Sequence, residues 1–266
     1  MHTKESIKKQ LKEMSVPTDS IVLCHTSLRS VGEIDGRGET LLDALIEHCT
    51  SGGGLLAVPT HTWAFVGRKD LPTVDMLSSE TCIGTLPSIA AVYPGVHRSL
   101  HPTHSMAVFG DDKKADAFIA GEIMSDTSTH PRGCYGRLRE NNGSILLIGV
   151  GLDKNTYMHA CEEMMDIPDR LTDHHVPMTI RLESGDIVDR PLRHHNSTCG
   201  NVSDRYPKYE AAFRHYGIIR DGLIGSAPSM LLPARGIFDV MQLIRERSGG
   251  AELLGDDIPF ADTLYK

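Results

Sequence analysis

The chain has 266 residues, of which 40% are hydrophobic and 23% are charged, and its formal net charge is -8. This composition is typical of a globular protein, and no stretch approaches the roughly 18 uninterrupted apolar residues that a membrane span requires. The negative charge disfavours nucleic acid as a partner, because phosphate binding needs a basic face. A small cationic molecule suits the sign of the charge better, and we expect neither nucleic acid nor membrane as a partner.

The N-terminus and the cysteines bear on the cellular compartment. Residues 1–13 mix lysines and glutamates with a few apolar residues, so they lack the apolar centre of a signal peptide. The six cysteines are scattered singly, without the spacing of a zinc ribbon or the density of a disulfide scaffold. We therefore expect a reducing compartment and a cytoplasmic protein.

The first half of the chain alternates predicted helices with short apolar strands. Ile7, Leu11 and Met14 recur at helical spacing and predict an amphipathic helix over residues 1–14. Residues 20–25 and 55–58 are short runs typical of buried strands, with a helix over 40–49 between them. Residues 68–81 contain Pro72 and many polar side chains, which indicates an excursion over the surface.

The second half repeats the alternation. The pattern predicts the following segments: a helix at 85–93, strands at 105–109 and 144–148, a helix at 156–165, a hairpin over 178–189, helices at 211–216 and 237–246, and a polar edge segment after residue 250. Such alternation predicts an α/β layered sandwich, with a central mixed β-sheet flanked by helices. We expect a single domain over 1–266, elaborated around 168–210.

Polar clusters follow three of the predicted strands, after Leu23, Val58 and Ile148. In α/β folds ligands bind beyond the carboxyl ends of the strands, so these clusters should meet at one site. Thr60 and Trp63 lie in the second cluster and are candidate substrate contacts.

The sharpest local signal is the helix that follows Gly149-Val-Gly151. Thr156, His159, Glu162 and Glu163 lie along one face of it. A histidine in the first turn of a helix has its cationic form disfavoured by the helix dipole, which suits a general base, while Glu162 would stabilise the imidazolium once formed. The alternative is a half-buried histidine that bonds Glu162 and has no catalytic role.

Two further clusters are rich in hydrogen-bond donors. Residues 25–32 read His-Thr-Ser-Leu-Arg-Ser-Val-Gly directly after a strand, where hydroxyl and backbone N–H groups could bind a pyrophosphate or simply cap a turn. Residues 98–105 read Arg-Ser-Leu-His-Pro-Thr-His-Ser and offer donors for phosphates or for a thioester carbonyl.

These two segments, together with Leu-Leu-Ile-Gly-Val-Gly-Leu-Asp-Lys-Asn-Thr-Tyr-Met-His-Ala-Cys-Glu over 146–162, resemble the signature blocks of the aminoglycoside 3-N-acetyltransferase family. The blocks occur in the family's order, and the resemblance extends over most of the chain. The family is distinct from the GNAT acetyltransferases, whose acetyl-CoA signature is absent here.

The resemblance implies a non-GNAT α/β fold, acetyl-CoA as the donor, no metal, and acetylation of the 3-amino group of a deoxystreptamine ring, which confers antibiotic resistance. It implies His159 as the catalytic base, assisted by Glu162. The candidate coenzyme A contacts are His25, Ser27, Arg98, Ser99, His101, Thr103 and Ser105. The candidate contacts to the cationic acceptor are Glu163, Asp166, Asp169, His194, Asn196, Thr60 and Trp63.

Two segments depart from the family's pattern. Many relatives carry a Glu-x-Asp pair about thirty residues after the histidine, where this chain has His194-His195-Asn196. The role of orienting the base then falls to Glu162, to Asn196 or to a distant residue. The family's Gly-x-x-Ser-Pro stretch reads Arg-Gly-Cys-Tyr over 132–135.

Other functions remain open at this point. One is a related acyltransferase that acts on a biosynthetic amine, and another is a coenzyme A-binding protein without turnover. Fourteen histidines also suggest a metal-dependent hydrolase, but no H-E-x-x-H or paired cysteine motif is present. A homodimer is a common arrangement for enzymes of this size.

Overall fold

The computed structural model describes residues 1–66 and 74–266. Its helices are α1 (Lys4–Glu13), α2 (Leu28–Val31), α3 (Arg37–Thr50), α4 (Thr85–Ala90), α5 (Asp112–Ile119), α6 (Cys134–Glu140), α7 (Tyr157–Met164), α8 (Glu210–His215) and α9 (Ala234–Arg247). Its strands are β1 (Ile21–Thr26), β2 (Leu55–Pro59), β3 (Val74–Asp75), β4 (His97–Arg98), β5 (Met106–Phe109), β6 (Ser144–Ile148), β7 (Thr179–Arg181), β8 (Ile187–Asp189), β9 (Arg220–Ile224) and β10 (Ala227–Pro233). Short 3-10 helices include Trp63–Phe65 and Val202–Tyr209.

Within the described residues a seven-stranded sheet has the order β4-β5-β2-β1-β6-β10-β9. Its centre is parallel, since β1 pairs in parallel with both β2 and β6. The outer strands pair antiparallel with their neighbours. The sheet is therefore mixed, as the sequence predicts. The carboxyl ends of its three parallel strands, β2, β1 and β6, lie at the same edge of the sheet.

Two hydrophobic cores lie on opposite faces of this sheet, because successive residues of a strand point to opposite faces. Ile21 and Leu23 of β1 pack in one core with residues of α6, α7 and α9. Val22 and Cys24 pack in the other core with residues of α1 and α3. Both faces are thus covered by helices, which gives the predicted layered α/β sandwich.

A smaller sheet has three strands in the order β3-β7-β8. Strands β7 and β8 belong to the elaboration predicted around 168–210, and β3 comes from an earlier segment of the chain. The predicted hairpin is present, because β7 and β8 pair antiparallel and Leu182 N–H donates to Asp186 O. The predicted surface excursion over 68–81 falls partly on residues 67–73, which lie outside the described residues.

One hairpin and the helices α5 and α6 were not predicted, and the prediction of an edge segment after residue 250 was wrong. Strands β9 and β10 form the far edge of the large sheet, while the tail after residue 250 contributes no strand among the described residues. Leu254, Phe260 and Tyr265 of the tail are buried in the core beside α9. Apolar residues spaced this widely give no periodic signal, so their burial could not be read from the pattern.

No helix in the described part of the chain is both long and apolar enough to cross a lipid bilayer.

Candidate active site

A cleft of about 1000 Å³ opens at the carboxyl ends of the three parallel strands. Residues that follow β1, β2 and β6 line it, as expected from the three polar clusters. Further walls come from segments that are distant in sequence. The titratable and polar lining residues include His25, Thr26, Ser27, Arg29, His61, His104, Ser128, Asp153, Lys154, Asn155, Thr156, His159, His194, His195, Asn201 and Ser203.

The turn after β6 brings α7 to the cleft. Gly149 has a φ of 65°, and a Cβ atom there would lie 2.4 Å from the Cβ of Ser30, so the position requires glycine. Asn155 Oδ1 then accepts a hydrogen bond of 3.2 Å from the backbone N–H of Tyr157, the first residue of α7. His159 consequently lies in the first turn of α7, with its ring in the cleft wall.

A chain of hydrogen bonds fixes the tautomer of His159. The hydroxyl of Tyr206 donates to Glu162 Oε2 at 2.6 Å and lies 2.7 Å from His159 Nδ1. Because the single hydroxyl proton goes to the carboxylate, Nδ1 must carry the proton that the Tyr206 oxygen accepts. Nε2 is therefore unprotonated in the neutral ring, and it makes no hydrogen bond to the described residues. We call this chain, His159 to Tyr206 to Glu162, the first relay.

Glu162 remains ionised although it is buried. Burial alone would raise the pKa of its carboxyl, but His159, Arg170 and Tyr206 hold the pKa below its usual value. Arg170 Nε donates to Glu162 Oε1 at 2.6 Å, and Arg170 Nη2 donates to Glu252 at 2.8 Å. Burial and the nearby Glu162 raise the pKa of Tyr206, so its hydroxyl keeps its proton.

Glu163, the next residue of α7, anchors a second relay with the same order of groups. The hydroxyl of Thr129 donates to Glu163 Oε1 at 2.6 Å and lies 3.1 Å from His195 Nε2. By the same argument the proton of neutral His195 lies on Nε2 and its lone pair on Nδ1. Against the effect of burial, His195, Thr127 and Thr129 lower the pKa of Glu163 to about 2.

The two imidazoles at the ends of these relays are stacked. The ring centroids of His159 and His195 are 4.1 Å apart, with 23° between the ring planes. His195 is also 5.1 Å from His104, whose ring is 4.4 Å from that of His61. Burial, with its histidine neighbours, lowers the pKa of each of His61, His104 and His195. These three rings are therefore mainly neutral near pH 7. Together with His159 they form a row of four neighbouring imidazole rings, and His159 is at one end of the row.

Five of the residues predicted to contact coenzyme A do not line the cleft. Arg98, Ser99, His101, Thr103 and Ser105 are buried and are absent from its described lining. Arg98 donates to the backbone oxygens of Asp75 and Ser78, and burial lowers its pKa to about 10. His101 uses both ring nitrogens within the protein, at Thr127 O and at two backbone N–H groups. The geometry gives this cluster a supporting position under His104, which does face the cleft.

The other predicted contacts are divided between the cleft and the surface. His25, Ser27, Trp63 and His194 line the cleft, and burial lowers the pKa of His25 to about 4. Thr60 is buried and bonded to Ser105 at 2.8 Å, away from the lining.

Asp166, Asp169 and Asn196 do not line the cleft either. All three are exposed, and Asp169 accepts hydrogen bonds from Ser197 and Thr198. Glu163 is buried and saturated with hydrogen bonds, so the carboxylates expected to receive a cationic acceptor do not face the cleft.

The described lining of the cleft carries little negative charge. Its one carboxylate belongs to Asp153, which is paired with Lys154 at 2.9 Å, and Arg29 adds a further positive charge at the rim. Among residues 1–66 and 74–266, no group of three or more His, Cys, Asp or Glu side chains is arranged to hold a metal ion.

Sequence reasoning did not single out Tyr206, Thr129, His195, His104 or His61. Tyr206 lies 47 residues from His159 and Thr129 lies 66 residues from His195, so no local spacing links them. The altered segment over 132–135 supplies Tyr135, whose hydroxyl is 2.5 Å from His61 Nε2. A signal was present in the His194-His195 pair, since both residues line the cleft.

Comparison with known proteins identifies the family of this chain. A family model described as Aminoglycoside 3-N-acetyltransferase matches residues 23–244. Aminoglycoside N(3)-acetyltransferase IX of Micromonospora chalcea is 28% identical, over 89% of this chain and 91% of that protein. Aminoglycoside N(3)-acetyltransferase III from Salmonella is 25% identical, over 89% of each chain.

Solved structures give the same result. A variant of aminoglycoside acetyltransferase AAC(3)-IVa in complex with gentamicin is 25% identical, with a TM-score of 0.76 over 96% of each chain. A binary complex of AAC-IIIb with coenzyme A is 23% identical, with a TM-score of 0.76 over 92% of this chain and 97% of that one, and shares the fold.

The α/β sandwich of this chain is thus the fold of a known class of acyltransferase. The chain belongs to the aminoglycoside 3-N-acetyltransferase family. It is an acetyltransferase of this family, and the expected enzyme class and non-GNAT fold are confirmed.

Proposed function

We propose that the protein transfers the acetyl group of acetyl-CoA to an amino group of an aminoglycoside, at the 3-position of the deoxystreptamine ring, with His159 as the general base. The observation that carries this proposal is the first relay, which leaves Nε2 of His159 unprotonated in a cleft large enough for two substrates. The names of the relatives support the acceptor class, and resistance to the antibiotic would follow from its acetylation.

The relay prepares His159 for proton transfer. As the amine attacks the thioester carbonyl, Nε2 takes the proton of the attacking nitrogen, and the departing thiolate receives a proton from the ring. The imidazolium that exists between these steps is stabilised by Glu162 through Tyr206. A general base contributes about 100- to 10,000-fold, so holding both substrates in one cleft must supply much of the remaining acceleration.

Coenzyme A needs donors for its phosphates, and the segment after β1 supplies a hydroxyl and a guanidinium to the described lining. Ser27 and Arg29 both line the cleft, and Arg29 is exposed. The hydroxyl and the guanidinium can therefore donate hydrogen bonds to an anionic group. We assign the phosphates of the coenzyme to this segment. We retain Arg98, Ser99, His101, Thr103 and Ser105 as the support of the cleft floor.

The cellular setting is also a proposal. All six cysteines are free and four of them are buried, which suits a reducing compartment such as the cytoplasm. We treat residues 1–266 as one catalytic domain, and a homodimer as the arrangement to be tested by size-exclusion chromatography.

The direct test is thiol release from acetyl-CoA by the purified protein, with gentamicin, apramycin or amine-free buffer, for the native chain and for His159→Ala. We expect drug-dependent release that falls by about 100-fold or more in the variant. His215→Ala, a histidine outside the cleft, is the control. Equal rates for native protein and His159→Ala would overturn the assignment of the base.

The charge of the cleft favours a second candidate, a related acyltransferase whose acceptor carries fewer ammonium groups. Several ammonium groups in one cleft need carboxylates to stabilise them, yet the described lining has a single carboxylate and this is already paired. The same assay, run with a monoamine sugar such as glucosamine, separates the two. A higher kcat/KM for the monoamine than for gentamicin would favour the second candidate.

A further inference from the structure

The two relays of the active site end in two free lone pairs. The first relay, through Tyr206 to Glu162, leaves Nε2 of His159 unprotonated. The second relay, through Thr129 to Glu163, leaves Nδ1 of His195 unprotonated. Both rings line the cleft, and Glu162 and Glu163 are consecutive residues of one helix. Each histidine therefore donates its single N–H to a hydroxyl group, which donates in turn to a buried carboxylate.

Acetylation of an amine requires two proton removals. An aliphatic amine is mainly an ammonium ion near neutral pH, and this ion has no lone pair until it loses one proton. The neutral amine loses a second proton when the N–C bond forms. Overall the ammonium ion and acetyl-CoA give the amide, the free thiol and one proton released to water, so one base can return its proton to sulfur and the other proton must leave the site.

We propose that His195 is a second base of this site, which takes the first proton from the ammonium form of the acceptor at Nδ1, while His159 takes the second proton at Nε2. The proposal rests on the proposed function. In the first step the N–H bond of the ammonium breaks, Nδ1 gains the proton, and the acceptor becomes a neutral amine. In the next step His195 passes this proton to water, and the amine then attacks the thioester with His159 as its base.

The charges around His195 set this order. His159 lies 4.1 Å away and His104 lies 5.1 Å away, so a second imidazolium beside a protonated His195 is disfavoured. Burial and the neighbouring His159 lower the pKa of His195, which favours release of the proton, while Glu163, at 3.5 Å from Nε2, and the more distant Glu162 partly offset this by stabilising the positive charge. Consequently the stacked pair holds one proton at a time, and His195 must release its proton before His159 accepts one.

The test compares His195→Phe with the native enzyme in gentamicin-dependent thiol release, as kcat/KM against pH. Phenylalanine keeps a flat ring against His159 and removes the nitrogen that accepts the proton. Near pH 7 we expect kcat/KM to fall by about 10- to 100-fold. Above the pKa of the acceptor amine the substrate is already neutral, and the variant should come within about threefold of the native value.

Matched variants separate a base from a packing residue. His174→Phe, an exposed histidine outside the cleft, should leave the profile unchanged, and the melting temperature of His195→Phe shows whether it folds. Thr129→Val removes the relay hydroxyl and should reproduce part of the loss near neutral pH. A loss in His195→Phe of the same size at every pH, or no loss at all, would show that His195 does not act as a base.

A second measurement does not depend on turnover. Nitrogen-15 NMR of the native protein without acceptor reports which nitrogen of each ring is protonated. We expect opposite tautomers, with the proton on Nδ1 of His159 and on Nε2 of His195. A proton on Nδ1 of His195 would leave no lone pair for an acceptor and would refute the proposal. Should the native protein release no thiol with gentamicin at any pH, the proposed function fails for that acceptor, and the tautomers still decide the role of His195.

Discussion

Tyr206 connects His159, the proposed base, to the carboxylate of Glu162. Its hydroxyl stands between His159 Nδ1 and Glu162 Oε2, while the direct separation of those two atoms is 3.5 Å. At that distance the carboxylate is too far for a good hydrogen bond, so the hydroxyl carries the orientation of the ring. Phenylalanine at this position would leave the Nδ1–H group without its acceptor.

Tyr206→Phe should therefore lower kcat by about 10- to 100-fold, the equivalent of one lost hydrogen bond to a charged group. KM should change little, because Tyr206 does not line the cleft. Steady-state kinetics with gentamicin and acetyl-CoA measures both parameters. Tyr209→Phe, which removes a neighbouring hydroxyl outside the relay, is the control, and a drop in kcat of equal size there would argue against the relay.

At the scale of elements, α7 organises the site. It contributes His159 to the cleft and turns two consecutive glutamates to different partners, Glu162 to the first relay and Glu163 to the second. The segment after α7 folds back so that Arg170 bonds Glu162, and the tail supplies Glu252 to the same guanidinium. The helix, the segment and the tail are thus joined by two ion pairs of the buried Arg170 guanidinium.

Arg170→Met should destabilise the protein by about 3 kcal/mol, because it leaves the carboxylate of Glu162 buried without its charged partner. Urea unfolding followed by circular dichroism measures the free energy of unfolding. The double variant with Glu162→Gln removes the uncompensated charge and should recover part of the loss. A loss below about 1 kcal/mol in Arg170→Met would mean that the pair behaves as a surface contact.

At the scale of the whole molecule, the protein buries many histidines in neutral form. Burial lowers the pKa of each of these described residues: His25, His61, His101, His104, His194 and His195. A histidine whose pKa is lower in the folded state binds its proton more readily when the chain unfolds. Stability is therefore present above the unfolded pKa and is lost as the pH falls below it.

The free energy of unfolding should fall as the pH drops from about 6.5 towards 4, and one histidine that titrates across this range contributes at most about 1.4 kcal/mol per pH unit. His25, whose folded pKa is about 4, is the clearest contributor. Urea midpoints at a series of pH values test this. His25→Gln should reduce the slope, whereas replacement of the exposed His174 should not. A slope that is the same in native protein and His25→Gln would contradict the argument.

The sequence alone predicted the central strands of the large sheet and the helix that carries His159. Apolar runs fixed the strands that became β1, β2, β5 and β6, because a buried strand must present apolar residues to both covered faces. The Gly149 turn and the polar face of α7 then predicted a base at the mouth of the cleft. The three signature blocks resemble those of the aminoglycoside 3-N-acetyltransferase family, to which the chain belongs.

Only the tertiary structure decided which side chains surround that base. Residues 98–105 were predicted to offer donors to a ligand, and the packing places His104 on the cleft lining while His101 is buried away from it. Tyr206, Thr129 and His195 reach α7 from segments far along the chain. Contacts of this kind form when the packed layers bring distant segments together. Spacing and periodicity along the chain therefore cannot predict them.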